Sequence, residues 1–261
     1  MNTSTHRFVN PHEICCQTNL PMKFYLPDEL EGNPYHLFFW MLARFKFIDT
    51  GGEVLYTYLN VRNNYLCETA LAALPSRFIR EQAVYVGYEY VPLPAMIWDN
   101  GLIHEPWMYE YIRLLYKPLW EKYTMQKGKY TYICRHKDLK SRVILNESEL
   151  RDPLKRLGFS FYFMEDLSFK EQIALFATSE IILSPHGAAL SFGIFSAPNS
   201  VMIEIHSSAR FENSKYFYDL CVKCSLHWFL FSDVESIGEN YRVDLNSLLE
   251  SLTHIIGLRQ L

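Results

Sequence analysis

Apolar residues follow two alternating rhythms through the second half of the chain. Residues 130–134 (Tyr-Thr-Tyr-Ile-Cys) form a short apolar run of the length of a buried strand. Leu150, Leu154 and Leu157 then recur at helical spacing over 147–157, with Asn146 placed as an N-cap. Gly158 stops that helix, and 159–163 (Phe-Ser-Phe-Tyr-Phe) reads as the next strand. Ser168 caps a helix running through Ala177, with Glu171 as capping-box partner and Ile173 and Phe176 on the inner face. A strand at 180–184, a short helix from Ala188 to Phe195, the loop Ala197-Pro198-Asn199 and a strand at 200–205 follow. A helix near 213–223, a strand near 226–231 and a terminal helix near 244–256 complete the series.

Strands joined by short helical crossovers pair in parallel, so this half reads as an open α/β sheet with helices on both faces. Such sheets bind ligands beyond the carboxyl ends of their strands. The informative residues should therefore directly follow strands, as Arg135 and Pro185-His186-Gly187 do. The first half is less regular. It reads as helices near 34–46, 64–73 and 105–122 and strands near 53–59, 83–87 and 90–97, the last interrupted by Pro92 and Pro94. Gly128 and its lysine neighbours break a helix around 123–129, which places a domain boundary between 1–124 and 125–261.

Composition narrows the classes. A chain of 261 residues fits two compact domains or one large one. A net charge of −4 supplies no basic field for nucleic acid, so none is expected as a partner. The 18 Tyr, 18 Phe and 5 Trp suit either an aromatic core or stacking platforms for sugars and bases. The first twenty residues hold His6, Arg7, Pro11 and His12 rather than the apolar run of a signal peptide, and no uninterrupted apolar stretch reaches membrane-spanning length. A cytoplasmic location without a membrane span is the expectation. Cys15, Cys16, Cys67, Cys134, Cys221 and Cys224 then read as reduced thiols. Cys221-x-x-Cys224 lacks the further ligands of a zinc site apart from His227, so it reads as packed thiols at a helix end, and no metal is expected.

Four clusters can carry chemistry. Ser184-Pro185-His186-Gly187-Ala188-Ala189-Leu190 follows a strand and opens a helix. Its small residues admit close approach, and its free amides suit a phosphate, to which His186 and Ser191 can add hydrogen bonds. The alternative is a tight packing turn with a satisfied core histidine. Arg135, His136, Lys137, Lys140 and Arg142 crowd the end of another strand, as a diphosphate site or as a solvated basic loop. Glu204 lies in the apolar strand Val201-Met202-Ile203-Glu204-Ile205 and needs partners there, either ribose hydroxyls or a nearby arginine. Asn33-Pro34-Tyr35-His36 opens an apolar helix, and His36 is either an acceptor-side base or a structural histidine.

In this order the fragments resemble glycosyltransferase family 61, which includes plant xylosyl- and arabinosyltransferases, O-linked N-acetylglucosamine transferases and bacterial capsule enzymes. The resemblance is carried by Asn33 to His36, Arg135, Arg142, Asn146-Glu147, Gly158-Phe159, Leu167-Ser168-Phe169-Lys170-Glu171-Gln172, His186 to Leu190, and Ile203-Glu204-Ile205. It implies a GT-B-like α/β fold of two Rossmann-like domains with parallel sheets. It further implies an inverting, metal-independent transfer from a UDP-sugar donor to a carbohydrate or glycan acceptor, with no other cofactor. On that pattern Arg135 and Arg142 hold the diphosphate, His186, Gly187 and Ala188 line the phosphates, Glu204 holds the ribose, and His36 faces the acceptor. Two positions depart from the pattern: Trp40 stands where an acidic residue is common, and Ser191-Phe192 where Thr-Asn is common.

The residues agree with metal-free chemistry. No Asp-x-Asp occurs, and arginines with a helix amino end can stabilise a leaving diphosphate. A competing reading is a catalytically inactive nucleotide-sugar or glycan-binding module. An α/β hydrolase is disfavoured because no Gly-x-Ser-x-Gly elbow occurs.

Overall fold

The computed structural model describes residues 23–26, 33–34, 37–47, 55–59, 65–75, 78–81, 89–90, 105–126, 128–135, 141–207 and 211–259. Strands β1 (Lys23–Leu26), β2 (Leu55–Leu59), β3 (Phe78–Glu81) and β4 (Glu89–Tyr90) form a parallel sheet of order β3-β2-β1-β4. Strands β5 (Lys129–Cys134), β6 (Phe159–Phe163), β7 (Ser179–Pro185), β8 (Val201–Ile205) and β9 (His227–Phe231) form a second, larger one, parallel throughout and of order β6-β5-β7-β8-β9. The chain is α/β and Rossmann-like in this half. The chain steps outward from β5 to β6 and then crosses back to the other side of β5. The sheet therefore changes winding direction between β5 and β7, the point where doubly wound sheets open a crevice at their carboxyl ends.

Side-chain alternation assigns each face. Ile133, Ile182 and Met202 enter one buried cluster, with the helices Phe169–Thr178 and Phe211–Lys223 and the 3-10 helix Ala188–Phe195. Tyr132, Cys134, Ile181, Leu183, Val201 and Ile203 enter the other, with the helices Glu147–Arg156 and Leu245–Arg259. The first cluster also takes in the helices of the first half. Leu37–Met41 is a π-helix continued by the 3-10 helix Leu42–Phe47, and Pro106–Leu115 is an α-helix. Phe38 packs edge-on against Phe192 and Phe195, with centroids 5.1 and 5.5 Å apart. Tyr116 does the same to Phe169 at 5.0 Å. Each such aromatic pair contributes about 0.5–1.5 kcal/mol beyond its burial. Eleven Phe and Tyr residues lie buried in this cluster.

Expected and observed elements agree closely in the second half, including the capping box in which Ser168 accepts from the Glu171 amide and Glu171 accepts from the Ser168 amide. Three differences stand out. Asn146 is not an N-cap through its side chain. Its Oδ1 accepts from the Val243 amide at 3.0 Å and its Nδ2 donates to the Val243 carbonyl at 2.9 Å, so it serves as a strand partner. The sequence reading also omitted the antiparallel hairpin β10 (Val234–Ile237) and β11 (Asn240–Val243), which turns at Gly238 with φ +62°. In the first half β1 and β3 were not anticipated. The strand expected at 83–87 and most of that at 90–97 fall outside the described residues. No helix among the described residues is long and apolar enough to cross a membrane.

Candidate active site

The turn from β7 and the end of β5 meet at the sheet's switch point. Sheet pairing runs one residue past β7 and β8: the His186 amide donates to the Ile205 carbonyl (3.0 Å) and the His206 amide to the Phe231 carbonyl (3.1 Å). Pro185 and Ile205 are register partners, so His186 and His206 leave adjacent strand ends side by side. Their rings stack with centroids 4.3 Å apart and planes 15° apart. Arg135, the residue after β5, reaches across and donates from Nη1 to the His186 carbonyl at 3.1 Å. Gly187 explains how it fits. A Cβ at position 187 would lie 2.5 Å from Arg135 Nη1, so glycine leaves the space that the guanidinium fills.

Arg135 is partly buried, and its Nε has no hydrogen-bond partner among the described residues. Burial first, and the neighbouring Arg142 cation second, push its pKa down to about 10, against the weaker opposing pull of Glu165 and Tyr241. Arg142 therefore lies close enough for its charge to be felt at Arg135. Arg142 is held by the hairpin. Its amide donates to the Glu239 carbonyl at 2.7 Å, and the next turns of chain pair Tyr241 N with Val143 O and Leu145 N with Tyr241 O. Arg142 takes φ +59°, a left-handed conformation costing a non-glycine residue about 1–2 kcal/mol.

Alternation also places Ser184, Met202, Glu204 and Trp228 on one face, because Ser184 is the register partner of Glu204 and Met202 that of Trp228. Glu204 is fully buried. One carboxylate oxygen accepts a short hydrogen bond from His186 Nδ1, and the other accepts from Trp228 Nε1 at 3.1 Å. The chain itself thus supplies a histidine and a tryptophan where the sequence suggested an arginine. His206 Nδ1 pairs with the Tyr241 hydroxyl at 2.8 Å, and Phe217 meets the His186 ring edge-on at 5.4 Å.

Arg135, His186 and Gly187 therefore meet at the carboxyl ends of β5 and β7, with Arg142 near enough for its charge to act on Arg135 and with the half-buried Ala188 at the start of the 3-10 helix, where the first amides lack intrahelical partners. Ser191 is placed differently. It is fully buried, and its hydroxyl makes no hydrogen bond among the described residues, so reaching a phosphate would need the 188–195 segment to move. His36 and the basic positions 136, 137 and 140 lie outside the described residues. The helix that follows His36 is nevertheless anchored on the same 188–195 segment through Phe38, and its first hydrogen bond runs from Leu37 N to Asn33 O at 2.9 Å. Cys221 and Cys224 are buried thiols at the end of the helix Phe211–Lys223, as their spacing suggested.

Sequence reasoning did not single out His206, Trp228 or Tyr241. His206 was within reach, because it lies two residues beyond Glu204 and so extends the same face. Tyr241 depends on the hairpin, whose two-residue Gly238-Glu239 loop carries the positive-φ glycine that such turns use.

The sheet is parallel and doubly wound, and its cationic groups and glycine turn stand at the switch point where such sheets hold their ligands. The family model described as Glycosyltransferase 61 matches residues 20–203. The chain belongs to that family and is a glycosyltransferase, acting between a sugar donor and an acceptor. The match contains Arg135, Arg142, His186 and Gly187 and ends before Glu204, His206, Trp228 and Tyr241. No curated protein matches the chain.

Proposed function

We propose that the protein moves a sugar from a UDP-sugar to a glycan acceptor, with inversion at the anomeric carbon and without a metal ion, in the cytoplasmic synthesis of a surface polysaccharide or glycoprotein glycan. The observation that carries this reading is the Arg135 guanidinium, wedged against the His186 carbonyl over Gly187, with Arg142 beside it at the sheet's switch point. A leaving nucleoside diphosphate gathers negative charge as the glycosidic bond breaks. Two guanidinium groups and the amides at the start of the Ala188–Phe195 helix meet that charge with fixed donors, the largest kind of contribution to such a transfer. In this arrangement 125–261 holds the donor and 1–124 faces the acceptor, as the two halves of a GT-B enzyme. His36 takes the acceptor proton as the hydroxyl attacks the anomeric carbon in line, and one displacement gives inversion.

Release of UDP from a panel of UDP-sugars, with and without EDTA, tests the reading. Turnover that survives EDTA and falls by orders of magnitude in Arg135→Ala is the expected result. Turnover only with a different nucleotide, or full activity in that variant, would count against it.

A further inference from the structure

We infer that a nucleoside diphosphate bound at this site draws a proton from solvent onto His186, with Glu204 as the residue that sets up the uptake. The inference rests on the donor site proposed above and concerns how that site recognises its anion. The Glu204 carboxylate can only accept, so the hydrogen on His186 must sit on Nδ1. In the neutral ring Nε2 is then a bare lone pair. That nitrogen makes no hydrogen bond among the described residues, and the side chain keeps 11% of its surface exposed. A lone pair repels a phosphate oxygen. Turning the tautomer round would set the Nδ1 lone pair against a buried carboxylate. The remaining solution is the imidazolium, with Nδ1–H on Glu204 and Nε2–H on the phosphate.

The surroundings make this conditional on the ligand. From the end of β5, Arg135 opposes a further positive charge, and Arg142 stands beside it. From the residue after β8, His206 stacks on the ring, so two imidazolium ions face to face would repel. Glu204 lies on the His186 side of that pair, while the hydroxyl of Tyr241 from the hairpin lies on the His206 side. Cys221, whose thiol senses the Glu204 charge, stays neutral because burial raises its pKa. Phe217 and the residues of the 188–195 helix add no titrating group. An arriving diphosphate reverses the sign of the field at Nε2. The proton comes from the buffer, the Nδ1–H bond is kept, and the proton returns to solvent when the nucleotide leaves.

Calorimetry of UDP binding at pH 8 in HEPES, tricine and Tris reads this directly. At that pH the terminal phosphate of free UDP is already ionised, its second pKa being about 6. The observed enthalpy should depend on buffer ionisation enthalpy with a slope approaching one proton taken up per UDP. Glu204→Gln should bring the slope near zero for the UDP it still binds. The amide then donates to Nδ1, so the neutral ring already carries Nε2–H, and its oxygen still accepts from Trp228. His206→Phe keeps a stacking partner and should keep the slope. NMR of the imidazole Cε1 protons in the unmodified protein should show one histidine moving to the charged shift when UDP is added, whatever the variants do. UDP binding with zero slope, an unchanged slope in Glu204→Gln, or a slope lost in His206→Phe would overturn the inference and leave the donor site standing. No UDP binding would overturn the donor site, and the inference with it.

Discussion

Gly187→Ala isolates the packing of Arg135 from the folding of the protein. The new Cβ would lie 2.5 Å from Arg135 Nη1, about 1 Å inside ordinary contact, and its next neighbours at 3.8 Å are undisturbed. Backbone strain does not enter, because Gly187 has φ 174°, an extended conformation open to alanine. What gives way is the tip of a flexible side chain, so the guanidinium retreats by about 1 Å and loosens its bond to the His186 carbonyl. With an effective dielectric of about 20, a unit charge pair gains about 5.5 kcal/mol at ~3 Å and about 4 kcal/mol at ~4 Å. The difference of about 1.4 kcal/mol corresponds to about tenfold in UDP affinity. Calorimetry should show that loss with a melting temperature within about two degrees of the parent. The double variant with Arg135→Ala should bind no worse than Arg135→Ala alone, because both changes remove the same contact. Unchanged affinity in Gly187→Ala, or fully additive losses in the double variant, would refute the reasoning.

Arg142→Gly should weaken UDP binding yet leave stability equal or up to about 1 kcal/mol higher, since glycine relieves the positive φ; urea unfolding and calorimetry on one sample check both halves. Phe192→Ala should cost about 3–5 kcal/mol, because its ring contacts Phe38, Phe169 and Phe176 in the core shared by the two halves, and a fall in urea midpoint measures it. Asn146→Ala strands the Val243 amide and carbonyl and should expose the 234–243 hairpin to limited proteolysis, at a cost of about 1–3 kcal/mol per lost partner. Cys134 and Cys224 should resist alkylation in the folded protein at pH 8, since burial pushes both thiols up to about 12 and the reactive thiolate forms only near that pH; mass mapping after iodoacetamide treatment reports it.

The second sheet was legible because each of its strands is a short apolar run bounded by a cap or a breaker. Gly158 stops one helix, Ser168 and Glu171 start the next, and Pro198-Asn199 separates the helical turn from β8. Those signals are local, and they placed Arg135 and His186 after strands without any knowledge of strand order. The partnership of Glu204 was not legible in the same way. It depends on β7 and β8 being adjacent and on Pro185 standing in register with Ile205, which is long-range information. Asn146 shows the same limit: the residue type suits a cap, but the hairpin offers its side chain a better pair of backbone partners. The helix after Asn33 was read as a simple α-helix, yet the buried run Leu37, Phe38, Phe39, Leu42, Ala43 and Phe45 is apolar beyond a single stripe and winds as π and then 3-10.

A crystal structure of the complex with UDP tests the central claim most directly. The account predicts the diphosphate in the crevice between the ends of β5 and β7, with its oxygens within hydrogen-bonding distance of Arg135, Arg142 and the first amides of the Ala188–Phe195 helix. UDP bound elsewhere on the chain, with the Arg135 guanidinium still resting on the His186 carbonyl and no phosphate near it, would contradict it.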